Sequence, residues 1–169
     1  MVIPPKYHLT PKTTQLLQQI EAAKEVIGSI PIPPEIETNI KRQSILKSSL
    51  FSARIEGNTL TQDTISATSQ TQQKKEVFNI LKGLNSIDRM ETKRLTLKSI
   101  LDLHSVVMDG LTSSLDLGKF RTEPGAIFNS AGQVVYLPPR SSKIPTLIKK
   151  LVTYVNSSSE QFIPIKAAL

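Results

Sequence analysis

Apolar residues recur every three or four positions along most of the chain, which predicts a mainly helical protein. Leu16, Leu17, Ile20, Ala23, Lys24 and Ile27 follow that spacing across residues 11–28, and Gly28 closes this first helix. Ile30-Pro31-Ile32-Pro33-Pro34 is a stiff linker, because proline locks φ. A second helix is expected over 34–56, with Pro34 in the first turn and Ile36, Ile40, Leu46, Leu50 and Ala53 facing inward. Thr61 then fits an N-cap, with Leu60 and Ile65 placed to form a hydrophobic staple. The short helix it opens ends in the polar run 66–73, read as a loop. Val77, Ile80, Leu81, Leu84 and Ile87 form the stripe of the next helix. Leu97, Ile100, Leu101, His104, Val107, Met108 and Leu111 form another, with Gly110 as its cap.

Near residue 125 the period changes from helical to alternating. Ala126-Ile127-Phe128 and Val134-Val135-Tyr136-Leu137 flank Asn129-Ser130-Ala131-Gly132-Gln133, a hairpin turn with a glycine available for positive φ. Pro138-Pro139 ends the second strand. An amphipathic helix follows Ser142, carrying Ile144, Leu147, Ile148, Leu151, Val152 and Val155. A last helix is expected from Pro164. The fold class is therefore a helical bundle with one β-hairpin. An isolated hairpin is marginally stable in water. Its free edges are either packed against helices as decoration or serve as a rail for an extended peptide.

Composition narrows the classes. The 169 residues suit one compact domain, with 38% apolar and 21% charged residues. No apolar stretch approaches the roughly 20 residues of a bilayer span, and the N-terminus lacks a signal-peptide layout. Cysteine is absent, and His8 and His104 are the two histidines, far apart in sequence, so disulfides and zinc are not expected. These features point to the cytoplasm. The net charge of +7 is spread over Lys41, Arg42, Lys47, Lys74, Lys75, Lys149 and Lys150, as on solvated helix faces. That scatter, with 5% aromatics, argues against a nucleic-acid footprint.

One run carries candidate chemistry: Ser52-Ala53-Arg54-Ile55-Glu56-Gly57-Asn58. Ser52 and Glu56 are four apart and share a helix face. Gly57-Asn58 is a strong helix stop. Glu56 then sits at the negative end of the helix dipole, where a carboxylate costs about 0.3–1 kcal/mol. A glutamate held there calls for a cation from elsewhere in the structure.

The run resembles the inhibitory helix pattern [S/T]-x-x-x-E-[G/N] of Fic-family adenylyltransferases, with Ser52, Glu56 and Gly57 in its fixed positions. Leu103-His104, Gly118-Lys119-Phe120-Arg121, the hairpin at 125–136, Pro138-Pro139 and the helix after them resemble the front half of a Fic core. The likeness covers about residues 4–169. It implies a regulatory region over 1–70 and part of a catalytic core over 71–169, with a flap at about 123–139 that holds a target protein by strand augmentation. Ile127, Phe128, Val134, Val135 and Tyr136 would form that docking strand pair. Ser52, Glu56, Gly57 and Asn58 would form the inhibitory motif, with Ser52 either hydrogen-bonded to the Glu56 carboxylate or a solvated helix serine. Family members use ATP and Mg2+ to place AMP on Ser, Thr or Tyr hydroxyls. Their HPFx[D/E]GNGR motif supplies the base, the magnesium ligand, the phosphate turn and the arginine that Glu56 would pair with. This sequence contains no such run. The resemblance therefore implies a chain that stops before the catalytic motif, with no catalytic residue, no cofactor of its own and no AMP transfer alone. It would leave an apolar groove beside the last helix and favour self-association. His104, on an apolar stripe, reads as a core histidine, and His8 as a solvated one.

Overall fold

Three threonines set helix starts. Thr10, Thr71 and Thr96 are extended in backbone and accept from the amides of Thr13, Lys74 and Ser99 at 3.2, 3.2 and 2.9 Å. Each satisfies one orphan N–H of a first turn. At Thr96 the bond is reciprocated by Ser99 Oγ, which accepts from the Thr96 amide at 2.9 Å. The computed structural model describes residues 6–67, 69, 71–90, 94–157 and 162–168. Among these, the helices are α1 (Pro11–Ser29), α2 (Pro34–Ile55), α3 (Thr64–Ala67), α4 (Gln72–Asp88), α5 (Leu97–Val107), α6 (Ile144–Asn156) and α7 (Ile163–Ala168). Strands β1 (Ile127–Phe128) and β2 (Val134–Tyr136) form one antiparallel pair, and a 3-10 turn at Ser141–Lys143 leads into α6. The protein is mainly helical with one small antiparallel sheet.

Helix α4 is the centre of the bundle, packed on α2 and on α5, and α5 in turn meets α6. The core is Leu50, Ala53, Leu60, Ile65 and Val77, with Leu46 and Ile80 against it. It draws on both sides of residue 70. Burying each aliphatic side chain contributes about 1.5–3 kcal/mol. Leu60 and Ile65 flank the Thr61 cap, whose Oγ1 accepts from the Thr64 amide at 3.3 Å, so the staple is part of the core. Polar ties complete the packing. Asn79 Nδ2 donates to the carbonyls of Val107 and Asp109 at 3.1 and 2.8 Å, fixing the end of α5 to α4. Asn156 and Leu95 exchange two hydrogen bonds, at 3.0 and 2.7 Å, which fixes the end of α6 beside the start of α5.

In α1 only Leu17 is buried; Leu16, Ile20 and Ile27 are exposed. Ile36 and Ile40 are also exposed, and the buried residues of α2 are Ser49, Leu50 and Ala53, near its C-terminal end. Ile87, expected inward, is half exposed at 49%. The expected loop at 66–73 is shorter: Ser66 and Ala67 belong to α3, while Gln72 and Gln73 open α4 under the Thr71 cap. Of that run, positions 68 and 70 lie outside the described residues, as do positions 1–5. Helix α2 ends at Ile55, with Glu56 as its cap residue. Met108 is the cap of α5, and Leu111 lies beyond it.

Candidate functional site

The end of α2 is locked by backbone and side chain together. The Gly57 amide donates to the Arg54 carbonyl at 3.0 Å and the Asn58 amide to the Ala53 carbonyl at 3.1 Å. This crossed pair requires a left-handed residue at Gly57, whose φ is +93°. Asn58 then turns inward and is 5% exposed. Its Nδ2 donates to the Gln73 carbonyl at 2.8 Å and to Glu76 Oε2 at 2.7 Å, and its Oδ1 accepts from the Leu60 amide at 3.0 Å. One buried amide thus fixes the end of α2 to the first turns of α4.

The four residues of the inhibitory pattern separate at this point. Asn58 is buried, whereas Ser52, Glu56 and Gly57 are exposed. Ser52 and Glu56 share a face but do not bond to each other: of the two expectations, Ser52 is the solvated helix serine. Both side chains are solvated, and neither gains from giving up water for one exposed contact. The Arg54 guanidinium lies 5.3 Å from the Phe51 ring centroid, so it stacks locally and does not reach Glu56. Among the described residues no cation pairs with Glu56.

The hairpin stands apart from this helix end in sequence and in character. Ile127 opposes Tyr136 and Phe128 opposes Val134, with a bulge that leaves Val135 as the extra residue. Asn129 builds the turn: its Oδ1 accepts from the amides of Ala131 and Gln133 at 3.0 and 2.9 Å, and Gly132 takes φ +75°. Ile127, Phe128, Val134, Val135 and Tyr136 are each 50–59% exposed. Among the described residues these two strands pair only with each other, so each retains an unpaired outer edge.

The base of the hairpin is held by residues whose roles the sequence reading did not assign. The Arg121 guanidinium donates to the Glu123 carbonyl at 2.6 Å and to the Pro139 carbonyl, so it bridges the two legs. His104 Nδ1 accepts from the Gly118 amide at 3.0 Å, which ties the preceding turn to α5. A side chain at Gly118 would meet Ser105 Oγ at 2.4 Å and the Leu101 carbonyl at 3.2 Å, and its φ is +65°, so the turn requires glycine twice over. His104 is accordingly a half-buried structural acceptor, and His8 is exposed. The run Gly118-Lys119-Phe120-Arg121 was the sequence signal for this base.

Among the described residues no group of three or more His, Asp or Glu gathers, and none of the glycines opens a helix. No helix among them is long and apolar enough to cross a membrane. A scan against protein-family models finds none that matches this chain, and a search of curated proteins finds no match.

Proposed function

We propose that this chain is the regulatory and target-docking part of a Fic-family protein adenylyltransferase, whose Fic-type bundle it begins to build. The observation that carries the proposal is the end of α2: a carboxylate at a glycine-locked helix stop, exposed and without a cation among the described residues. A charge held at the unfavourable end of a helix dipole is explained by a partner that arrives from outside these residues. In this reading the partner is an arginine of the HPFx[D/E]GNGR motif, and the ion pair withholds that arginine from nucleotide. The latch formed by Asn58 keeps the helix end rigid, so Glu56 meets its partner at a fixed place. The hairpin supplies the second task. Its unpaired edges add a target segment as a further strand, with main-chain hydrogen bonds giving affinity and side chains giving choice.

The test uses labelled ATP and magnesium. The chain alone should transfer no label to itself or to a partner. In a polypeptide that continues into an HPFx[D/E]GNGR segment, transfer should be weak, and Glu56→Gly should raise it. An unchanged rate in that variant would remove the inhibitory assignment. A second reading, an independent helical module that binds peptides at the hairpin, is favoured by the exposed strands alone. It predicts peptide binding with no effect of Glu56→Gly in any context.

A further inference from the structure

We infer that the hairpin selects an acidic partner: an extended peptide whose strand-forming stretch is followed by glutamate or aspartate. This rests on the hairpin being the docking element proposed above. Residues 124–159 contain no Asp or Glu, and they hold Arg140, Lys143, Lys149 and Lys150. All four cations are exposed. The ion pairs of the described residues are Lys24–Glu21, Lys41–Asp88 and Lys98–Asp102, all elsewhere. The hairpin and the helix after it thus form an apolar and cationic unit.

Their placement follows the strand. Arg140 lies four residues beyond Tyr136, the last residue of β2, and Lys143 ends the 3-10 turn that follows. Lys150 lies within α6, seven residues after Lys143. A peptide paired with β2 and continued a few residues past its end runs toward Arg140 and Lys143. Carboxylates there meet cations that no side chain of the described residues neutralises. Exposed pairs of this kind individually contribute little, but several acting together discriminate against like charge and raise the association rate. A nucleic acid would use the same charge, but it would not extend the strand pair with a ladder of main-chain amides and carbonyls.

The experiment is fluorescence anisotropy on the full chain. The probes are a fluorescein-labelled peptide of alternating valine and threonine ending in glutamates, its counterpart with glutamines, and a single-stranded DNA of equal charge. The acidic peptide should bind about tenfold more tightly than the glutamine peptide. The variant R140E/K143E/K150E should abolish that preference while retaining glutamine-peptide binding. The variant K12E/K47E/K82E, with the same net charge but altered away from the hairpin, should keep the preference. Equal affinity for the two peptides would overturn the acidic selection and leave docking at the hairpin standing. Loss of the preference in both variants would reduce it to net charge and overturn the local site. DNA binding as tight as that of the acidic peptide would overturn the peptide assignment. No binding of either peptide would overturn the inference and the docking reading together.

Discussion

Asn58 and Glu76 join the two central helices through a hydrogen bond of 2.7 Å between a buried amide and a carboxylate. The same amide also satisfies the Gln73 carbonyl and the Leu60 amide. Truncation removes three hydrogen bonds and strands the buried Leu60 amide, whose loss of a partner costs about 1–3 kcal/mol. Asn58→Ala should therefore destabilise the fold by about 2–3 kcal/mol in urea unfolding. Asn58→Asp should do no better, since it sets a carboxylate against Glu76. A loss below about 0.5 kcal/mol, the size of an ordinary surface substitution, would show that the latch contributes little.

Gly57 and Gly28 make a controlled pair. Neither has an atom within 4 Å of where a Cβ would stand, so crowding decides nothing at either. Gly57 has φ +93°, and Gly28 lies inside α1 with an ordinary helical backbone. Gly57→Ala should cost about 1–2 kcal/mol through left-handed strain. Gly28→Ala should stabilise α1 by up to about 1 kcal/mol through helix propensity. Melting temperatures of the two variants, moving in opposite directions, check both.

The sequence showed the helices but not which of their faces would be covered. The stripe of α4 and that of α1 look alike on paper, yet Val77 is fully buried and Leu16 and Ile20 are not. Periodicity specifies an apolar face, while burial depends on a neighbour that periodicity does not name. The Gly57 stop and the Asn129 turn were legible because their conformations are local. The inward turn of Asn58 was not: its partners Gln73 and Glu76 lie 15 and 18 residues away. Arg121 was visible as part of a run, but its two backbone acceptors became apparent only once the hairpin legs were in place.

Gly83 records how closely α4 and α5 approach. A Cβ there would stand 2.9 Å from Val107 Cγ2 and 3.2 Å from Leu103 Cδ1. Alanine gains about 1 kcal/mol of helix propensity, while overpacking costs about 1–3 kcal/mol. Gly83→Ala should thus be neutral to destabilising on its own. Combined with Val107→Ala, which removes the nearer methyl, it should be less damaging than the sum of the single changes. A double-mutant cycle with zero coupling would refute the steric account.

Glu56 should be dispensable to the fold of this chain. It is exposed, has no cation among the described residues, and caps a helix at the end that disfavours negative charge. Glu56→Gln should leave stability unchanged or raise it by a few tenths of a kcal/mol, the low end of the dipole effect at an exposed site. A loss above about 1 kcal/mol in thermal unfolding would reveal a structural partner and weaken the regulatory reading.

Arg121 should control the order of the hairpin. Strands of two and three residues cannot hold a ladder by themselves, and the turn of Asn129 closes only one end. The other end is closed by the guanidinium between the carbonyls of Glu123 and Pro139. Lysine keeps the charge but not the planar fork that reaches two acceptors at once. Arg121→Gln and Arg121→Lys should therefore both speed exchange of the Asn129 amide, which donates to the Gln133 carbonyl at 2.9 Å. A bridge worth about 1.4 kcal/mol changes that exchange about tenfold. Amides of α4, which lies away from the hairpin in the packing order, should exchange as before. Equal acceleration in α4 would mean that the substitution loosens the whole fold, and no acceleration at Asn129 would mean that the legs are held without Arg121.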